Sequence, residues 1–106
     1  MKKLKFADHL IGLVLDGKKD TTWRVNDDKG ISVGDELALC RKDGSEFARA
    51  RVTHSSDTTF ENVGKEDKEG HEKFSSEKEM YRTYSRYYGM EVTPKTKVKV
   101  IKFRLL

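Results

Sequence analysis

The run Gly17-Lys18-Lys19-Asp20-Thr21-Thr22-Trp23-Arg24 brings a glycine turn, two lysines, two hydroxyls and a guanidinium together. Such a concentration of cations and hydroxyls suits an anion, a carbonyl or a nucleobase, and suits a core badly. Lys18, Lys19, Thr22 and Arg24 are therefore the candidate ligand contacts. At its ordinary pKa of about 10.4 a lysine is protonated at neutral pH and is neither base nor nucleophile. Burial, or a nearby cation such as Arg24, lowers that pKa and frees the amine. A neutral Lys19 then accepts the Thr22 hydroxyl proton, while a carboxyl from further along protonates a leaving amine. Glu66, Asp67, Glu69 and Glu72 are the carboxyls available. The plainer alternative is a surface strand edged by solvated charge, with the four acids in a solvated loop.

The elements that must position these groups follow from periodicity. Ala7 to Asp16 reads as a helix with an apolar stripe at Leu10, Leu13 and Val14, widened by Ile11, and Gly17 stands where a helix-ending glycine belongs. Asp20 to Val25 reads as a strand. Thr22 and Arg24 share one face, and Thr21, Trp23 and Val25 take the other, toward the core. Lys19 falls on the wrong face of a regular strand and joins Thr22 only if the bend after Gly17 turns it. Residues 2–6 form a short lead-in strand, and residues 26–30 a polar loop. Val33-Gly34-Asp35 turns into a strand over Glu36 to Arg41, and Asp43-Gly44 makes a hairpin to Glu46–His54. On that returning strand Ala48, Ala50 and Val52 face one way; Phe47, Arg49 and Arg51 face the other. Residues 57–73 read as loops with short helical pieces. Ser76 and Glu79 have capping-box spacing for a helix that runs to Tyr88, stops at Gly89 and buries Met80, Tyr84, Tyr87 and Tyr88. Lys97 to Leu106 is a strand whose cations change parity, which predicts a β-bulge near Val100-Ile101.

A length of 106 residues fits one domain over 1–106, and 38% charged against 35% hydrophobic residues implies a modest core. The net charge of +4 and isoelectric point near 9.2 fit a nucleic acid or nucleotide partner without requiring one. Cys40 is the only cysteine, so no internal disulfide forms, and a reducing compartment is expected. The start, Met1-Lys2-Lys3-Leu4-Lys5, resembles a signal peptide only faintly. Asp8 and His9 interrupt it, and the apolar run 10–15 is too short to span a bilayer. The expected location is cytoplasmic, with no membrane partner.

Other signals carry less. Trp23 and Tyr81 have the chemistry to stack on a base, though both also suit helix and core packing. Lys78, Arg82 and Arg86 recur on one helix face, and Lys95, Lys97, Lys99, Lys102 and Arg104 crowd the last strand, where they offer phosphate contacts. His9, His54 and His71 have no metal-ligand spacing with each other or with Cys40, and no cofactor motif is present. Cys40, between Leu39 and Arg41 on an apolar strand, reads as a packed residue.

Three features together resemble the ASCH domain family of the PUA-like barrel group. They are the helix followed by Gly17-x-Lys19-x-x-Thr22-x-Arg24, the Val33-Gly34-Asp35 entry into a hairpin, and the aromatic helix before the strand Val98-Lys99-Val100-Ile101-Lys102-Phe103. The resemblance spans nearly the whole chain. It implies an α+β fold: a small β-barrel of about five to six mostly antiparallel strands with two or three flanking helices. It also implies a cleft beside Gly17–Arg24 that binds RNA or a modified nucleoside. One bacterial branch of the family consists of amidohydrolases that release acetate from N4-acetylcytidine using a lysine, a threonine and a glutamate. By that resemblance Lys19 is the proton acceptor, Thr22 the nucleophile and Glu72 the proton donor, with Glu69 the second choice. Many members carry glutamate where this chain has Thr22, and Asp20 departs from a threonine common in the amidohydrolase branch. Both a binding module and an amidohydrolase stand open on this basis, with an inactive scaffold as the third possibility.

Overall fold

The computed structural model describes residues 1–106. In chain order it has β1 (Lys2–Lys5), α1 (Asp8–Leu15), β2 (Thr21–Arg24), β3 (Glu36–Cys40) and β4 (Glu46–Thr59). A 3-10 turn (Phe60–Asn62), α2 (Lys65–Lys68), α3 (Glu77–Tyr88) and β5 (Lys97–Leu105) follow. The strands form one curled mixed sheet in the order β1-β3-β4-β5-β2, a half-barrel flanked by helices. β1 runs parallel to β3; the other three pairs are antiparallel. The α+β, PUA-like architecture read from the sequence is the one found.

Two cores lie against this sheet. The first gathers Leu4 and Phe6, Val14 of α1, Leu37 and Leu39, Val52, Ile101 and Phe103. The second gathers Trp23, Phe60, Met80 and Tyr84 of α3, Val92, Val98 and Val100. β5 serves both. Val98 and Val100 point to one side and Ile101 and Phe103 to the other, which accounts for the change of parity along this strand. A bulge in β5 is therefore not needed, and none is there. The bulge lies in the partner strand: Val52 pairs with Phe103 and His54 with Lys102, leaving Thr53 without an opposite residue. The extra residue lets β4 run on to Thr59, five residues past the expected end at His54.

Helix α3 begins and ends at the expected residues. Ser76 Oγ accepts from the Glu79 backbone N–H at 3.1 Å, and Gly89 takes the left-handed conformation at φ 62°. The Glu79 carboxylate reaches back to Ser75 instead of completing the box on Ser76. Of the four expected buried residues, Met80 and Tyr84 are buried and Tyr88 is half-buried, while Tyr87 is 43% exposed and turns toward a cleft. Two of the four cations of β5 are engaged in structure, while Lys97 and Arg104 are exposed. Lys99 pairs with Asp27 at 3.2 Å, and Lys102 donates to Thr21 Oγ1 and to the Glu69 carbonyl, both at 3.0 Å.

The two-core description predicts additivity. Ile101→Val in the first core and Phe60→Leu in the second should lower unfolding free energy by amounts that sum within about 0.5 kcal/mol in the double variant. A coupling energy above about 1 kcal/mol in denaturant titrations contradicts separate packing units.

Candidate active site

Lys19 reaches the site because the chain reverses behind α1. Gly17 adopts φ +82°, a conformation costly for any residue with a Cβ, and the Lys19 backbone N–H closes the turn on the Leu13 carbonyl at 3.0 Å. The reversal throws Lys18 outward and Lys19 inward. Lys18 has a 74% exposed side chain and lies 3.9 Å from Asp16, outside the cleft. Lys19 is 2% exposed. Its ammonium donates to the Thr21 carbonyl at 2.7 Å and lies 2.8 Å from Glu72 Oε2.

Glu72 is delivered by a loop pinned from several sides. The backbone N–H groups of Asp20 and Thr21 both donate to the Gly70 carbonyl, at 3.0 and 3.1 Å. Thr21 Oγ1 donates to the Glu69 carbonyl at 2.7 Å, and the Trp23 indole N–H donates to the Asp67 carbonyl at 3.1 Å. Gly70 is obligatory here: its φ is +77°, and a Cβ would sit 1.8 Å from Asp20 Oδ1. Because this loop uses Glu69 through its carbonyl, the Glu69 side chain points to solvent and does not line the cleft. Of the two carboxylates singled out, Glu72 is the one beside Lys19. Asp67 instead accepts from the Gly64 N–H at 2.9 Å at the start of α2.

Thr22 and Arg24 share a face of β2 as alternation requires, and Arg24 Nε donates to Thr22 Oγ1 at 3.1 Å. Arg24 also donates through Nη1 to the Lys5 carbonyl at 2.9 Å and lies 4.8 Å from the Phe6 ring. It thus ties β2 to β1, the two strands left at the edges of the sheet. Trp23 is not free to stack on a ligand, because His71 covers one of its faces at 3.8 Å between ring centroids. The His71 ring is also held by the Glu72 carbonyl at 2.9 Å from Nδ1, with Tyr84 Oη at 2.8 Å and Glu72 Oε1 at 3.0 Å from Nε2. In the sequence His71 stands out only for its lack of metal-ligand spacing. Its position directly before Glu72 was the available signal.

These groups line one cleft of about 760 Å³ between α1 and α3. Lys19, Thr22, Arg24 and Glu72 stand at its base. Phe6, Leu10, Leu13, Phe74, Tyr87 and Tyr88 supply apolar and aromatic walls. Lys5, Lys42, Lys73 and Arg86, all exposed, give its rim a positive charge. Within it, burial lowers the pKa of Lys19 from its ordinary value, opposed by the Glu72 carboxylate and helped by the Arg24 charge. Burial acts to raise Glu72, but the hydrogen bond from His71 and the charge of Lys19 outweigh it and hold the carboxyl at about 2. Oε2 of Glu72 is buried against the Lys19 ammonium at 2.8 Å. A carboxylate and an ammonium therefore face each other, shielded from water, at the base of the cleft.

No protein-family model and no curated protein matches the sequence. Solved structures do match. The ASCH domain from Lactobacillus crispatus JV V101 superposes with a TM-score of 0.64 at 18% identity, over 89% of this chain and 68% of that one. ASCH from Zymomonas mobilis superposes with a TM-score of 0.65 at 12% identity, over 96% of this chain and 65% of that one. The fold is that of an ASCH domain. A hypothetical protein, PH0355, shares this ASCH-like fold over 100% of both chains, with a TM-score of 0.75 and 24% identity.

The low Glu72 pKa links the site to stability. Its folded value of about 2 lies below the ordinary 4.5, so its contribution is full above pH 4.5 and is lost as the pH falls toward 2. The shift corresponds to about 3 kcal/mol at most. Glu72→Gln should therefore be less stable than wild type at pH 7, with the gap closing as the solution is acidified through that window. Parallel stability–pH curves for the two proteins, from urea denaturation, would contradict this assignment.

Proposed function

We propose that the ASCH-like cleft binds a nucleobase-bearing ligand, either a modified nucleoside or an exposed nucleotide of RNA. The observation that carries this reading is the Lys19–Glu72 pair at the base of an aromatic-walled and positively rimmed cleft. A nucleobase presents N–H donors beside carbonyl acceptors on one edge. The part-exposed Glu72 carboxylate accepts from an exocyclic N–H, and the Thr22 hydroxyl serves a neighbouring carbonyl. The rim lysines meet ribose-linked phosphate where the ligand carries one. With its unpaired thiol Cys40 buried in β3, we place the protein in the cytoplasm. No helix is long and apolar enough to cross a membrane.

The 2.8 Å contact between Lys19 and Glu72 favours a second reading, an amidohydrolase acting on an acylated base such as N4-acetylcytidine. Transfer of one proton from Nζ to Oε2 turns the ion pair into an amine and a carboxylic acid. Exclusion of water by a bound ligand favours that neutral pair. The Lys19 amine then accepts the Thr22 hydroxyl proton as Oγ1, held in place by Arg24 Nε, attacks the acyl carbon and negative charge moves to the acyl oxygen. The Glu72 carboxyl gives its proton to the leaving nitrogen as the C–N bond breaks, restoring the ion pair. Water then hydrolyses the Thr22 ester to free the acid.

Incubation with N4-acetylcytidine, followed by chromatography for cytidine, separates the readings. Turnover lost by at least about 100-fold in Lys19→Ala and Thr22→Ala supports the hydrolase. Saturable shifts of Lys19–Arg24 and Glu72–Phe74 amide NMR signals without turnover support the binding module. Neither turnover nor shifts with N4-acetylcytidine, cytidine or a structured RNA at low salt defeats both.

A further inference from the structure

His71 belongs to neither proposed role, yet it is buried at 6% exposure against the back of Glu72. Both of its ring nitrogens face oxygen. Nδ1 lies 2.9 Å from the Glu72 carbonyl, which can only accept, so Nδ1 carries a proton. Nε2 lies 3.0 Å from Glu72 Oε1 and 2.8 Å from Tyr84 Oη. A bare Nε2 can accept from the Tyr84 hydroxyl, but it sets its lone pair against the Glu72 carboxylate oxygen as well. A protonated Nε2 donates to both oxygens and makes the ring an imidazolium. The stacked Trp23 face at 3.8 Å is a further attraction for a cation there.

We propose that His71 is the positioning residue of the cleft: in its protonated form its two N–H groups hold the carbonyl and carboxylate of Glu72 and so fix that carboxylate against Lys19 at the base of the cleft. The inference rests on the cleft's being the functional site, but its physical content concerns this chain alone. The groups facing the ring are Tyr84 from α3, Trp23 from β2, the Lys19 ammonium from the turn behind α1, and Glu72 and Phe74 from its own loop. Tyr84 keeps its hydroxyl proton, since burial raises its pKa well above the ordinary value. Burial and the Lys19 charge pull the imidazolium below its ordinary pKa, against the hydrogen bond and charge of Glu72. Raising the pH through that pKa removes the Nε2 proton and, with it, the contact that fixes Oε1. Aim of the carboxylate is then strongest on the acid side of the His71 titration and slackens above it.

The direct test is an NMR titration of the wild-type protein, following the His71 ring nitrogens and the Glu72 carboxyl carbon. The expected result is protonation at both ring nitrogens on the acid side, with the Glu72 carboxyl and the 70–74 amide signals moving at the same midpoint. A bare Nε2 throughout the pH range in which the protein is folded overturns the proposal. So does a His71 titration that leaves the Glu72 signals still. His71→Gln keeps a donor without a titration, so N4-acetylcytidine affinity should be partly retained and lose its pH step. His71→Phe keeps the stacking without a donor, and affinity should drop about 10-fold or more. If wild type binds no N4-acetylcytidine, the ligand reading fails while the NMR titration still decides the role of His71.

Discussion

A lysine removed from water must be paired or neutral, and Lys19 is removed almost completely. Taking an ammonium out of solvent costs several kcal/mol unless opposite charge and hydrogen bonds replace the lost water. Here the Thr21 carbonyl and Glu72 Oε2 replace it. Much of the surrounding structure follows from that requirement. The Gly17 turn admits the side chain, the 67–72 loop brings the carboxylate, and Thr21, Lys102 and Trp23 pin that loop through its carbonyls. Loss of the carboxylate would leave an uncompensated cation at the base of the cleft. For this reason the pair and the loop stand or fall together.

The sheet provides the setting. Because β5 serves one core with Val98 and Val100 and the other with Ile101 and Phe103, the half-barrel packs α1 on one side and α3 on the other. The cleft is the gap between those helices, with the edge strand β2 at its base. Arg24 spans β2 and β1, so the site sits at the one seam that backbone pairing leaves open. Backbone groups at a sheet edge need partners. Side chains meet part of that need here, and the same side chains give the seam its polar chemistry.

Much of this was written in local sequence. Gly17, Gly44 and Gly89 mark element ends by left-handed conformations few other residues adopt cheaply, and Ser76 marks one by its capping hydroxyl. Alternation correctly put Thr22 and Arg24 on one face. What was illegible depends on distant partners. Nothing near residue 101 shows that β5 touches two cores, so its change of parity looked like a bulge. Alternation placed Trp23 toward the core, but no local rule says that His71 will be the group lying over it. The exposure of Tyr87 depends on the width of the gap between the helices. The choice between Glu69 and Glu72 turned on which of them the loop would spend as a backbone acceptor.

The central claim is that Lys19 is a buried ammonium held by Glu72. It is tested most directly by measuring the Lys19 Nζ titration by NMR in wild type and in Glu72→Gln. The account predicts a wild-type midpoint below that of the surface lysines, and a further fall when the carboxylate is removed, because desolvation then acts unopposed. A Lys19 that titrates with the surface lysines in both proteins would contradict it.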